Sequence, residues 1–291
     1  MYTIAGTCTA LACAVASVLI LDAQSPATTS PLQFDVASVK PNRSGDSRRA
    51  IGPGPGGFTA LNSSVRELVA MAYGVSQSLA QINVIGGPAW VESERFDIDA
   101  KTGVERLPAA QISEMLRTLL RDRFQLKAHK ETREREVYAL VVADAARGLG
   151  PRLTAATYDC AARYAALARK ETPEPLPPPR PDGRRTCSGQ TRPGNLYAIG
   201  FQIDSLADSL APFVGRVVVN RTGLAGGYNF DVEWTPEQAP VAGPDGDDRR
   251  IDPNGPSIFT AVREQLGLKL DSQRAPVEVV VIDSIERPTP N

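Results

Sequence analysis

Apolar residues recur along this chain at two spacings, which predict helices and strands in alternation. In four segments they lie three and four positions apart, the spacing that places side chains on one face of a helix. The four stripes are Val65, Leu68, Val69 and Ala72; Ile112, Met115, Leu116, Leu119 and Leu120; Ile203, Leu206, Ala207 and Leu210; and Ile258, Phe259, Val262 and Leu266. Short alternating or β-branched segments lie between the stripes, so the pattern predicts an α+β fold.

The ends of two of these helices are also marked in the sequence. Ser64 and Glu67 have the spacing of a capping box at the start of the first helix. Gly267 directly follows the last stripe, at the position where a glycine commonly ends a helix.

The order of these elements repeats once along the chain. Residues 56–68 align without a gap with residues 194–206, and this alignment pairs Leu61 with Ile199. A glycine-rich turn and a strand containing a Phe-Asp pair follow in both halves. Agreement in order, turn glycines and strand residues indicates an internal duplication.

Each copy is predicted to be a strand-helix-strand-helix-strand-strand repeat, a split βαβ-like unit, over residues 32–155 and 194–288. Two helices would cover one face of a small mixed sheet. The last two strands of each copy are predicted to form a hairpin, which in the first copy runs from Leu126-Lys127 to a strand that begins at Val137.

Residues 156–193 separate the two copies, and we interpret them as a proline-rich linking insert. The prolines exclude a helix or a central strand where they cluster, at Pro173, Pro175, Pro177, Pro178, Pro179 and Pro181. Cys160 and Cys187 flank this cluster. If an N-terminal signal peptide is removed on export, the mature chain keeps only these two cysteines, and an even pair in an oxidising compartment predicts a disulfide.

The N-terminal segment predicts export. Residues 5–21 carry no charge, and Leu21-Asp22-Ala23 resembles a signal-peptide cleavage site. We interpret residues 1–23 as a signal peptide. The alternative is a membrane anchor, because about 17 apolar residues is the lower limit for a span. The mature chain would lie in the periplasm or outside the cell, with no later segment able to cross a bilayer.

Composition limits the chemistry that this chain can perform. Its 32 basic and 33 acidic residues nearly cancel, which counts against nucleic-acid binding. His129 is the only histidine, and no common protease, esterase, β-lactamase or redox motif is present. No cofactor or metal is predicted, because Asp245, Asp247, Asp248 and Asp252 lack the spacing of a calcium-binding loop.

Four acidic side chains are the best candidates for a site. Asp97 and Asp99 alternate along one predicted strand, and Asp231 and Glu233 alternate along the matching strand, so each pair projects from one face. Paired carboxylates could serve hydrolysis, although a solvated sheet face is the favoured explanation. Arg221 and Thr222 precede Gly223 in a tight connection, where the glycine can supply a positive φ and the arginine can pair with a carboxylate.

Several segments resemble a known family. They are FDVASVKPN (residues 34–42), LLRDRF (119–124), RTGL (221–224) and GPSIFTA (255–261). They resemble the large paralogous family of uncharacterised secreted proteins of acidobacteria, expanded in Solibacter-type soil bacteria and described as a domain of unknown function. The resemblance extends from Gln33 to the end of the chain. It implies no established activity, cofactor or catalytic residue.

Some members of that family are fused behind a membrane metallopeptidase domain like that of β-lactamase-sensing antirepressor proteases. Asn220 stands where the family usually has an aspartate before RTGL, which counts against a catalytic acid at this position. The repeat also resembles the small N-terminal domains of secretins and TonB-dependent receptors, an analogy of fold that does not determine function.

The leading hypothesis is therefore a non-catalytic binding module of the cell envelope. Its partner would be an envelope protein or a small ligand, taken up for example by strand addition at a sheet edge. The alternatives are a carboxylate-dependent hydrolase and a sensory partner of a membrane metallopeptidase.

Overall fold

Three four-stranded sheets and seven helices make up the described part of the protein, so the predicted α+β class is confirmed. The computed structural model describes residue 2 and residues 32–54, 56–104, 107–237 and 252–288. Apart from residue 2, the predicted signal peptide, residues 1–23, lies outside the described residues, as do the acidic residues Asp245, Asp247 and Asp248.

The strands and helices alternate much as the hydrophobic pattern predicts. The strands are β1 (Val36–Pro41), β2 (Ala50–Gly54), β3 (Gly57–Ser64), β4 (Val84–Gly86), β5 (Arg95–Lys101), β6 (Lys127–Val142), β7 (Leu153–Ala155), β8 (Gly189–Arg192), β9 (Asn195–Phe201), β10 (Val218–Asn220), β11 (Tyr228–Glu233) and β12 (Leu268–Ser284). The helices are α1 (Val65–Ala72), α2 (Ala80–Asn83), α3 (Trp90–Ser93), α4 (Ala109–Phe124), α5 (Cys160–Ala168), α6 (Ile203–Val214) and α7 (Ile258–Leu266), and a 3-10 turn spans Gln77–Leu79.

Two of the sheets are antiparallel and have corresponding topologies. The first has the order β1-β5-β3-β2, and the second has the order β7-β11-β9-β8. In the first sheet, β3, which leads into α1, lies beside β5, which leads to α4. In the second sheet, β9, which leads into α6, lies beside β11, which leads to α7. This arrangement is compatible with the predicted repeat.

The third sheet is built from both halves of the chain. Its order is β10-β6-β12-β4, with the long strands β6 and β12 antiparallel along their whole length. The short strand β10 of the second half pairs in parallel with β6 of the first half. The short strand β4 of the first half pairs in parallel with β12 of the second half. The predicted hairpins are therefore wrong, because β6 and β12 are each a single continuous strand. The backbone groups between Ala128 and Val137 are paired with a strand more than 130 residues away in sequence.

Each half also completes the hydrophobic core of the other. The core beneath the first sheet contains residues of α1 and α4 together with Val280 and Ile282 of β12. The core beneath the second sheet contains residues of α6 and α7 together with Leu140 of β6. The chain from Leu32 onward accordingly forms one compact unit.

Several local predictions are confirmed. Ser64 and Glu67 form a capping box, and Gly267 ends α7 in the left-handed conformation with a φ of 70°. All the predicted helix-stripe residues are buried except Phe259, which is 43% exposed and packs edge-on against Tyr138. Within the described ranges, no helix is both long and apolar enough to span a bilayer.

Candidate binding site on the disulfide-closed insert

The largest difference between the two antiparallel sheets lies in one connection. Residues 42–49 connect β1 to β2 in the first sheet. The corresponding connection in the second sheet, between β7 and β8, spans residues 156–188, and we call it the insert. The insert begins with α5, a helix that the sequence analysis missed. Asp159 caps this helix, because its Oδ1 accepts hydrogen bonds from the backbone N–H groups of Ala161 and Ala162.

A disulfide closes the insert at its base. Cys160 and Cys187 are bonded, with their Cα atoms 5.5 Å apart, as predicted. The N–H of Cys187 donates to the carbonyl of Ile199 at 2.9 Å, so the bridge is also attached to β9. A Cβ at Gly200 would lie 2.7 Å from Cys160 Sγ, which shows how closely the bridge packs on the sheet.

Hydrogen bonds fix the path of the chain between the two cysteines. The carbonyl of Glu174 accepts from the Tyr158 hydroxyl at 2.6 Å and from Arg163 Nη1 at 3.0 Å. Further on, the N–H of Arg180 donates to the carbonyl of Arg184 at 2.9 Å. The proline-rich segment is therefore held at both of its ends.

Arg184 connects the insert to the sheet below it. Its Nη1 donates to Asp231 Oδ2 at 2.6 Å, and its guanidinium lies 4.1 Å from the centre of the Tyr197 ring. Partial burial alone would lower the pKa of Arg184, but the hydrogen bond to Asp231 and the nearby carboxylates outweigh this effect and raise it. Asn195 donates to the other oxygen of Asp231 at 3.2 Å. The charged pair is thus anchored on a rigid strand.

A shallow polar cavity of about 440 Å³ opens beside this pair. Its lining residues come from the end of the insert and from β8 and β9, and they are Asp182, Gly183, Arg184, Arg185, Ser188, Gln190 and Tyr197. Arg185 is exposed, and its side chain has no hydrogen bond or ion pair with any residue that the structure describes. The cavity therefore offers one arginine held in place and a second one available for an anionic group.

Comparison with known proteins assigns the chain to a family. Residues 66–285 match the family described as protein of unknown function (DUF3738). The chain belongs to this family. The matched DUF3738 region includes the whole insert, the cavity and both long strands. No curated protein and no solved structure matches the chain.

The predicted carboxylates lie in two different sheets of this DUF3738 chain. Asp97 on β5 accepts from Asn42 Nδ2 at 2.8 Å and from the N–H of Asn62 at 2.8 Å. Asn62 has a positive φ of 51° where the β3–β5 register shifts, so Asp97 stabilises this irregularity. Asp99 pairs with Lys101 of the same strand at 2.8 Å. These two acids thus have local structural roles.

The second acidic pair is engaged in the same way. Asp231 is bound by Arg184, and Glu233 on β11 accepts from Arg152 Nη1 at 2.9 Å. Each of the four predicted carboxylates therefore has a hydrogen bond or an ion pair with a nearby amide or cation. Of the four, only Asp231 lies next to the cavity.

Arg221 and Thr222 form the predicted tight connection after β10. Asn220 Oδ1 accepts from the N–H and the hydroxyl of Thr222, and Gly223 has a φ of 73°, as predicted. The Arg221 side chain is exposed and, among the described residues, pairs with no carboxylate. Thr222 is thus a turn residue.

His129 lies on the exposed face of β6 between two carboxylates. Its Nδ1 is 2.9 Å from Asp283 Oδ2, and its Nε2 is 3.5 Å from Glu131 Oε2. The hydrogen bond to Asp283 raises the pKa of His129. Three or more potential metal ligands do not cluster anywhere in the described part of the chain.

Sequence reasoning missed Arg184, Arg185 and Tyr197, the residues that shape the cavity. It treated the insert as a linker, because prolines dominate its middle. One signal was available, since residues 160–188 hold six basic and three acidic residues in a chain whose charges otherwise nearly cancel. A local excess of arginine indicates an anion-binding surface more readily than a spacer.

Proposed function

We propose that this protein is an exported, non-catalytic binding module, and that the cavity beside the insert recognises an anionic group. The observation that carries the proposal is Arg185, which is exposed and whose side chain pairs with no described residue, next to an arginine fixed by Asp231 and Tyr197. Guanidinium groups bind carboxylates and phosphates through paired hydrogen bonds. The anionic group would belong to a small ligand or to an acidic side chain of an envelope protein.

Two observations support export. Residues 5–21 are apolar or small and uncharged, and Leu21-Asp22-Ala23 resembles a signal-peptide cleavage site. The disulfide between Cys160 and Cys187 is the kind of bond that persists in an oxidising compartment such as the periplasm. The resemblance to secreted acidobacterial proteins agrees with this assignment.

Binding is favoured over hydrolysis because of how the acidic residues are used. Glycoside-type hydrolysis requires two carboxylates facing one substrate. Here Asp97 and Asp99 lie in one sheet and Asp231 and Glu233 in another, each with its own polar partner. The hydrolase and sensory-partner hypotheses remain predictions, and the first requires that single substitution of these four acids abolish turnover.

The binding proposal is tested by calorimetric titration with succinate and with inorganic phosphate. Arg185→Ala removes the exposed guanidinium that lines the cavity, so we expect it to weaken binding of the preferred anion by about tenfold or more. Arg221→Ala is a matched control, since it removes another exposed arginine that pairs with no described carboxylate. Equal weakening in both variants would contradict a site at the cavity.

A second arm distinguishes a free ligand from a protein partner. A photo-crosslinking residue at Gln190, which lines the cavity, should join an envelope protein in intact cells if the anion is a partner's side chain. The same residue at Asp122, an exposed position on α4, is the control. If neither anion binds and Gln190 captures nothing beyond the Asp122 control, the proposed function is wrong.

A further inference from the structure

The proline-rich part of the insert has a conformation that its sequence largely dictates. Residues 174–181 read EPLPPPRP. Each proline locks its own φ near −65° and pushes the preceding residue towards extended conformations. Glu174, Leu176, Pro177, Pro178 and Arg180 all precede a proline, so nearly every residue of the segment is restricted to the polyproline II region.

The structure presents this segment to solvent. Residues 174–183 are all exposed, and no residue between 171 and 180 belongs to a helix or a strand. The carbonyl of Glu174 is held by Tyr158 and Arg163, and the N–H of Arg180 is held by Arg184. The segment is therefore both accessible and fixed at its ends, which reduces the entropy that a partner must remove on binding.

A spacer role does not account for this arrangement. Proline-rich spacers keep two bodies apart, whereas the insert that carries this segment leaves the second sheet after β7 and returns to it at β8, and its two cysteines have Cα atoms 5.5 Å apart. Both ends are attached to the same sheet. The segment thus separates nothing and projects as a closed loop.

A polyproline II helix has three residues per turn, so this segment has three edges. Pro175, Pro178 and Pro181 share the first edge. Pro177 and Arg180 share the second, while Leu176 and Pro179 share the third. Among the described residues, the Arg180 side chain has one partner, a loose, solvent-exposed contact with Asp182 at 3.7 Å, and such pairs contribute little. Arg180 can therefore exchange this partner for another acid.

The geometry points to the segment Pro175–Pro181 as a displayed recognition motif for a partner domain with an aromatic-lined groove. Such grooves accept two edges of a polyproline II helix between aromatic rings. The first and second edges would enter the groove, with Arg180 against an acidic residue at its end. This inference rests on the proposed function only in treating the insert as a recognition element, because it uses different residues from the anion site.

The test uses the full oxidised chain and, as the probe, a purified SH3-type domain whose groove is lined by aromatic residues and ends in acidic ones. Binding is measured by calorimetric titration. We expect Pro178→Ala, on the first edge, to weaken binding by about tenfold. Pro179→Ala makes the same change on the third edge and should alter binding by less than about twofold. Arg180→Gln should weaken binding and reduce its dependence on salt.

Fold is monitored by thermal unfolding of each variant, and all three substituted residues are exposed. Failure of the wild-type chain to bind the probe, or equal effects of Pro178→Ala and Pro179→Ala, would overturn the inference. Arg185→Ala separates the two proposals. It should weaken anion binding by about tenfold or more and leave probe binding unchanged, so either proposal can fail while the other stands.

Discussion

Asp208 on α6 is a partly buried carboxylate next to the 3-10 turn of the first half. Burial raises its pKa, while a hydrogen bond with the Ser76 side chain opposes the shift and the nearby Asp204 adds to it. A carboxyl group whose pKa is raised by folding stabilises the fold when protonated. That contribution is fully present below the ordinary pKa of 3.8 and is lost as the pH rises through the raised value.

Asp208→Asn should therefore stabilise the protein at neutral pH, because the amide can keep a hydrogen bond to Ser76 and carries no charge to desolvate. We expect a rise in Tm of roughly 1–2 °C at pH 7 and no rise near pH 3. Thermal unfolding across this pH range is the measurement. Asp204→Asn, an exposed carboxylate one turn earlier, is the control, and an equal rise in both variants would contradict a burial effect.

Two glycines with left-handed backbone differ in the space around them. Gly200 has a φ of 80°, and an added Cβ would lie 2.7 Å from Cys160 Sγ and 2.9 Å from the Tyr158 carbonyl. Gly223 has a φ of 73°, and nothing lies within 4 Å of an added Cβ.

Gly223→Ala should cost about 1 kcal/mol, which is the backbone penalty alone. Gly200→Ala should cost about 3 kcal/mol or more, since the disulfide or the strand must also shift. Denaturant unfolding measures both values. Similar losses in the two variants would show that the insert is not packed tightly on β9.

Among the elements, the insert is the one whose position on the sheet depends most on a covalent bond, the disulfide between Cys160 and Cys187. The cysteines are 27 positions apart, and on a chain-entropy estimate a loop of this length adds about 3.5 kcal/mol of stability. Only Cys160 among the α5 residues is buried, so packing contributes little to holding the helix in place.

Replacing both cysteines with alanine should lower the free energy of unfolding by about 2–3.5 kcal/mol, and it should release the insert before the sheets unfold. Hydrogen exchange should show faster exchange at the N–H groups of position 187, now an alanine, and of Arg180, while amides in β6 keep their protection. Unchanged exchange at position 187 would show that hydrogen bonds alone hold the insert.

At the scale of the whole molecule, the two halves are joined by exchanged strands. The first core includes Val280, Ile282 and Ile285, which all come from the C-terminal end of the chain. Burying a large aliphatic side chain contributes about 1.5–3 kcal/mol, so their loss approaches the whole stability of an ordinary domain.

Residues 32–155 produced alone should therefore lack a cooperative unfolding transition, and addition of residues 156–288 should restore one. Circular dichroism and calorimetry of the separate and mixed fragments provide the measurement. The first fragment contains all of β6 and the second contains all of β12. Recovery of a transition in the mixture is therefore the control that neither fragment was cut within a long strand. A cooperative transition in the first fragment alone would contradict the exchange of strands as a source of stability.

Local features of this protein follow closely from its sequence. The capping box at Ser64, the end of α7 at Gly267 and the disulfide were all predicted correctly, because the first two depend on residues close together in sequence and the third on the two cysteines that lie beyond the predicted signal peptide. The buried helix stripes were likewise correct apart from Phe259. The candidate acids were placed on the right strands, but their partners, such as Asn42 and Arg152, are far away in sequence.

By itself, then, the sequence determined the α+β class, the helix faces and the covalent closure of the insert. Only the tertiary structure decided that β6 and β12 are continuous strands and that Arg184, Tyr197 and Asp231 meet at a cavity. The reason is physical. Periodicity and capping act within a few residues, whereas sheet pairing and ion pairing are set by which distant backbone and side-chain groups find partners once the cores are packed.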